Sequence, residues 1–177
     1  MNLNNLQTLE DFRFCAKKKL PKMVFGYIDG GAGDGLAIKR NSLSFKKLLL
    51  QPKTLLNVKN RNQSKKINNQ EFNYPFGIAP MGLCNVSNPR ADIMLAQSAN
   101  KQNIPLCVST AASSSVEEIY KIASKNVWFQ LYMGSSIENT LKLVKRVERA
   151  GVENLIISVD VPAPGFRPRE LRDGFTA

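Results

Sequence analysis

Four short apolar runs recur along the second half of the chain, and their spacing constrains the fold more than any other feature. "FGIAP" (76–80), "IPLCVS" (104–109), "VWFQLY" (127–132) and "NLIISVDV" (154–161) begin at intervals of roughly 22 to 29 residues, as successive βα units do. Each reads as a buried parallel strand. Between them, helical patterns cover 89–103, 116–123 and 137–150. Ser114 with Glu117 has the spacing of a capping box for the second helix. Ile137, Leu141, Val144 and Val147 form an apolar stripe on the third, which Gly151 ends.

This alternation predicts an α/β protein with a parallel sheet, either about the first four units of a TIM (βα)8 barrel or part of an open doubly wound sheet. Periodicity leaves both open. The strand ends favour the barrel, because each run finishes in polar or special residues: Pro80 and Met81, Ser109 and Thr110, Gln130 and Tyr132, Ser158 and Asp160. A barrel brings such C-terminal ends to one face, where active sites are built.

The first 74 residues follow a different pattern, which sets an expected boundary between a helical segment with its connection (1–74) and a half-barrel (75–177). Phe12, Ala16 and Leu20 have helical spacing, 21–28 reads as a second short helix, and the Asn/Lys/Gln-rich stretch 57–73 reads as a linker or surface hairpin. The glycine-rich "YIDGGAGDG" (27–35) invites comparison with a nucleotide loop. It fails the dinucleotide fingerprint, since counting from Gly31 puts the third glycine on Leu36 and no strand precedes it; no Gly-Lys-Ser/Thr follows for a P-loop. Two helix ends meeting explains it better, with Gly30 or Gly31 left-handed after one helix and Asp34 capping the next. Tyr27 then becomes the residue to follow.

Lys and Arg outnumber Asp and Glu by 25 to 14, for a net charge of +11. The basic residues are dispersed without interleaved aromatics, which predicts a solvated face attractive to small anions and no nucleic-acid partner. Three distant cysteines and the absence of histidine leave no metal-ligand pattern and point to reduced thiols in the cytoplasm. No apolar run nears the ~20 residues of a membrane span, so none is expected.

The set of segments "LPKMVFGYIDGGAGDG", "FKKLLLQPKTLLNV", "PFGIAPMGL", "STAASSSVEEI", "WFQLYMG" and "RAGVENLIISVDVPAPGFRPRELRDGF" resembles, in order and spacing, the N-terminal half of the FMN-dependent 2-hydroxy acid oxidoreductases. That group includes glycolate and lactate oxidases, L-lactate dehydrogenases, mandelate dehydrogenase and the flavin domain of flavocytochrome b2. The resemblance implies an FMN-type TIM barrel and a small 2-hydroxy acid substrate, with an electron acceptor left undefined and a homo-oligomer expected at full length. It implies substrate contacts for Tyr27, Tyr132 and Arg167, and a carboxylate at Asp160 that orients a catalytic histidine. For FMN it implies backbone near Ala79 and Pro80, a flavin-facing Met81, the hydroxyls of Ser109 and Ser158, and the amide of Gln130. Such groups suit the chemistry: a guanidinium fork and phenol hydroxyls hold an anionic substrate, and a carboxylate fixes an imidazole tautomer. On the residues alone, Tyr27 also reads as a packing tyrosine and Arg167 as a surface arginine.

Three departures stand out. Ala111 occupies a position where several oxidases carry a bulky aromatic, Met81 one often held by Thr or Ala, and the family's general base is a histidine, which this chain lacks. The expected function is FMN-dependent oxidation of an L-2-hydroxy acid to the 2-oxo acid, with these residues an N-terminal fragment inactive alone; the alternative is a non-catalytic module that binds a partner or anion through its basic surface.

Overall fold

Thr8 begins the first helix by a reciprocal cap: its hydroxyl accepts from Asp11 N at 3.2 Å while the Asp11 carboxylate accepts from Thr8 N at 2.8 Å. In this computed structural model, which describes residues 5–160, 163 and 165–175, that helix is α1, Leu9–Lys19. Its last turn carries Lys17, Lys18 and Lys19, where cations complement the helix dipole. Pro21, fixed in φ, precedes α2, Lys22–Asp29, and α3 follows over Leu36–Lys46.

The chain divides into two compact units, one formed by Met1–Leu56 with Val161–Ala177 and the other by Asn57–Asp160. The grouping differs from a cut at 74/75, because residues 57–73 group with the strand-bearing unit and residues 165–175 with the N-terminal helices.

In the first unit the glycine-rich stretch is structural, with a correction. Gly30 leaves α2 in extended backbone, φ −85°, where a side chain would collide with the Gly26 carbonyl. The left-handed residues are Gly33 and Gly35, with φ 59° and 78°. Gly35 itself is the N-cap of α3, and Asp34 instead accepts from Leu36 N at 3.0 Å. Asp34 therefore closes a turn and satisfies the first N–H of α3 from one residue before the N-cap position.

The second unit opens with a hairpin of β1, Lys65–Ile67, and β2, Gln70–Phe72, whose turn residues Asn68 and Asn69 both have positive φ. Then come α4 (Ala91–Gln102), β3 (Leu106–Ser109), α5 (Val116–Ala123), β4 (Val127–Leu131), α6 (Ile137–Arg149) and β5 (Asn154–Ile157). The last three strands form one parallel sheet in the order β3-β4-β5. The expected first strand, 76–80, is reduced to one bridge, in which Ile78 N donates to Pro105 O and Cys107 N donates to Ile78 O. Pro75, Pro80 and Pro105 lack the N–H groups that a longer ladder needs. Val161, expected at the end of β5, lies outside the described residues.

Register decides which side chains share a face. Leu106 pairs with Val127, Ser109 with Gln130, and Gln130 with Ile156. By alternation, Leu106, Val108, Val127, Phe129 and Leu131 point to one side, where they form the core with Ile93, Ala96 and Ala99 of α4, Val116, Ile119 and Ala123 of α5, and Val147 of α6. Cys107, Ser109, Gln130, Asn154 and Ser158 fall on the other. The stripe on α6 is covered only toward its C-terminal end: Val147 is buried, whereas Ile137 and Leu141 are exposed. Of the two serines competing to start α5, Ser115 is the cap, accepting from Glu118 N at 3.2 Å; the N–H of Ser114 is already held by Asp92, which shifts the cap one residue beyond the expected Ser114–Glu117 pair. A short α7, Pro168–Asp173, belongs to the first unit.

Candidate functional site

At the C-terminal ends of the three paired strands, the polar face becomes a continuous row. Ser109 Oγ donates to Gln130 Oε1 at 3.2 Å, and Gln130 Nε2 donates to Ser158 Oγ at 2.9 Å. Gln130 is 1% exposed and Ser109 5%, so their hydrogen-bonding groups are costly to leave unpaired. Ser109 Oγ also accepts from Ala111 N at 3.1 Å, which engages its one donor and one of its two lone pairs. Ser158, half-buried, keeps its own O–H available, as Gln130 keeps a second amide N–H.

Thr110, which carries no role in the sequence reading beyond marking a strand end, turns out to hold the neighbouring backbone. Its hydroxyl donates to Gln130 O at 2.7 Å and accepts from Tyr132 N at 3.1 Å, thereby fixing the backbone where the Tyr132 side chain emerges exposed. Beside the row lie Ala79, Pro80 and Met81, all exposed, at the end of the single-bridge strand. Asp160 is exposed, with no hydrogen bond or ion pair among the described residues. Two thiols in this unit have raised pKa values: burial, and secondarily Asp92, pushes Cys84 up to about 11, and burial pushes Cys107 up to about 11, which disfavours the thiolate form.

The first unit contains Tyr27 and Arg167. Tyr27, half-buried on α2, stacks on Phe175 with ring centres 4.4 Å apart. Arg167 immediately precedes α7, and its Nη1 donates to Glu170 Oε1 at 2.5 Å. The helices that carry them are clamped together. Asp29 accepts from Arg13 at 2.5 and 3.1 Å and from Arg169 at 2.9 Å, while Asp173 pairs with Lys22 at 3.0 Å. Arg13, then Arg169, holds the Asp29 carboxyl below its ordinary range despite its burial. Gly26 permits this approach, because any side chain there would strike Asp173.

A flavin ring presents alternating hydrogen-bond donors and acceptors along one edge, and the strand-end row offers matching chemistry: hydroxyls that both give and accept, and a primary amide that does the same. The residues present therefore fit FMN along one side of its ring. No metal-ligating group of three or more acidic, Cys or His residues occurs among the described residues.

Three parallel strands with helices on one face and polar groups at their C-terminal ends define a βα protein with a candidate ligand site at that end of the sheet. The chain belongs to the FMN-dependent dehydrogenase family, whose sequence pattern matches residues 16–177. It is 34% identical to (S)-mandelate dehydrogenase of Pseudomonas putida over 171 residues, 97% of this chain and 43% of that protein. It is 32% identical to L-lactate dehydrogenase of Xanthobacter autotrophicus, again over 97% of this chain and 44% of the other. Among solved structures, a soluble mutant of the membrane-associated (S)-mandelate dehydrogenase from Pseudomonas putida superposes with a TM-score of 0.91 at 34% identity, covering 97% of this chain and 49% of that one. A mutant flavocytochrome B2 gives a TM-score of 0.91 at 30% identity, covering 99% and 47%. The chain thus spans about half the length of the relatives it matches. No helix among the described residues is long and apolar enough to cross a membrane.

Proposed function

We propose that the protein containing these residues oxidises a small L-2-hydroxy acid, of the lactate, glycolate or mandelate kind, to the 2-oxo acid with FMN as its first electron acceptor. The observation that carries this reading is the Ser109–Gln130–Ser158 row at three adjacent strand ends. In a flavoenzyme the bound FMN supplies the two-electron chemistry, and the protein supplies binding, orientation and electrostatics.

Each residue then has a defined task. Ser158 and Gln130 offer hydrogen bonds to the flavin edge, and the strand-end backbone from Ala79 through Met81 provides a second contact. Arg167 and Tyr27 bind the substrate carboxylate; the guanidinium gives a planar fork where Lys would give a point charge. Tyr132 donates its phenol hydroxyl toward the reacting oxygen, and Asp160 stands ready to orient an imidazole. The base itself comes from outside these 177 residues, since they contain no histidine. The remaining strands of the barrel are its expected source, and with them the phosphate site that barrels of this class place after strands seven and eight. Taken alone, residues 1–177 are expected to be inactive. A cytoplasmic, homo-oligomeric enzyme that passes electrons to a separate acceptor completes the proposal.

The test is direct. A polypeptide that carries these residues with the rest of the barrel is incubated with L- and D-lactate, glycolate and both mandelates, and an artificial electron acceptor is followed together with 2-oxo acid formation. Turnover of L enantiomers supports the reading; FMN retention without turnover of any 2-hydroxy acid contradicts it.

A further inference from the structure

Two strand-end loops flank the polar row, 81–85 and 110–115, and they are tied to each other at several points. Leu83 N donates to Ala111 O at 3.0 Å, and Asn85 N donates to Ser113 Oγ at 3.2 Å. The strongest tie comes from a residue in neither loop. Asp92, in the first turn of α4 and 5% exposed, accepts through Oδ2 from Ser113 N at 2.8 Å and Ser114 N at 2.9 Å. Its own backbone N–H reaches Asn85 Oδ1 at 3.4 Å, and the Cys84 thiol lies against the same carboxylate.

A buried acidic residue is costly unless donors surround it. No cation pairs with Asp92 among the described residues. An acid in the first turn of a helix interacts favourably with the dipole of that helix, but that role does not require Oδ2 to reach across to a different loop. Here one oxygen satisfies two consecutive N–H groups of the β3–α5 loop, and the same residue is linked through Asn85 to the loop leading into α4. These loops carry Met81 and Ala111, the two positions that the family resemblance marks as differing from several oxidases and from a frequent Thr or Ala.

We propose that Asp92 is a positioning residue that locks the 81–85 and 110–115 loops into one rigid wall beside the strand-end row. What the wall faces, flavin at Met81 and substrate at Ala111, rests on the functional reading above; the lock itself rests on the geometry. The required property is an acceptor oxygen at this point, so Asn can replace Asp whereas Leu cannot.

The experiment combines amide hydrogen exchange with steady-state kinetics on the complete protein. In the unmodified protein the Ser113 and Ser114 amides exchange as slowly as those in the middle of α4, although Ser113 is exposed. In Asp92→Leu they exchange about a hundredfold faster while the middle of α4 and β4 stay protected. KM for the 2-hydroxy acid rises about tenfold with a smaller change in kcat, as expected for a displaced binding wall. Asp92→Asn restores both readouts. Fast exchange of Ser113 and Ser114 in the unmodified protein overturns the lock, whether or not the Leu variant folds. So does an Asn variant as impaired as the Leu variant. Slow exchange in an unmodified protein that oxidises no 2-hydroxy acid refutes the functional reading and leaves the lock intact.

Discussion

Gln130 Nε2 donates to Ser158 Oγ at 2.9 Å, which joins the ends of β4 and β5 diagonally, Ser158 lying two residues beyond Ile156, the aligned partner of Gln130. Since Gln130 Oε1 also accepts from Ser109, one buried amide connects three strands. Gln130→Leu should strand both hydroxyls and lower stability by about 1–3 kcal/mol. FMN affinity of the complete protein should fall at least about tenfold, a loss of ~1.4 kcal/mol. Denaturant unfolding and quenching of flavin fluorescence measure the two effects. Unchanged affinity would remove Gln130 from the flavin site.

The Asp29 clamp should appear as acid sensitivity. Its folded carboxyl titrates below the ordinary value because Arg13 and Arg169 favour the charged form. Its contribution to stability is therefore complete above the unfolded pKa of about 4 and is lost as pH falls through the lower folded value. Asp11, held down by the Thr8 backbone and hydroxyl, and Glu117, held down by Arg146, titrate in the same direction. Asp29→Asn should lower stability at neutral pH and flatten the loss of stability below about pH 4. Unfolding curves from pH 7 to pH 3 check this; parallel pH profiles for both proteins would contradict it.

Arg167→Lys tests the substrate fork. Charge is retained and planar geometry is lost, so kcat/KM of the complete enzyme should fall more than tenfold, over ~1.4 kcal/mol of transition-state stabilisation. Unchanged kinetics would return Arg167 to the surface role that its Glu170 pair alone would suggest.

The outer edge of the sheet makes a separate prediction. Leu155 and Ile157 share the helix-covered face of the sheet by register, yet they are 42% and 51% exposed on β5, and Val159 beyond them is 91% exposed. Apolar side chains beside an unpaired parallel edge favour association. Residues 1–177 expressed alone should self-associate, and Leu155→Lys with Ile157→Lys should shift them toward monomer in sedimentation velocity. A monomeric unsubstituted chain would contradict this.

Much of the second unit was legible because its strands and helices alternate with clear periods. The start and end of α5 at Val116 and Ala123, and the polar strand ends at Ser109, Gln130 and Ser158, follow from local pattern. The first strand was not, since apolar content at 76–80 does not reveal that flanking prolines cut its ladder to Ile78. The cap of α5 was misplaced for a tertiary reason: Asp92, more than twenty residues upstream, takes the N–H of Ser114. The same long-range origin hid Asp92 and Thr110 themselves, whose roles exist only once β3, α4 and β4 are assembled. At the glycine-rich turn the composition identified a helix junction, but not that Gly30 leaves α2 in extended backbone close to the Gly26 carbonyl, with the left-handed positions falling later, at Gly33 and Gly35.

Anaerobic reduction of bound flavin is the most direct test of the whole account. The complete, FMN-loaded protein is mixed without oxygen with L-lactate, glycolate or (S)-mandelate, and the visible absorbance of oxidised flavin is followed. Bleaching by at least one of them, with stoichiometric 2-oxo acid and none by the D enantiomer of lactate, is the predicted result. Flavin that stays oxidised with every 2-hydroxy acid, in a protein that binds FMN and whose Ser109–Gln130–Ser158 row is intact, would contradict it.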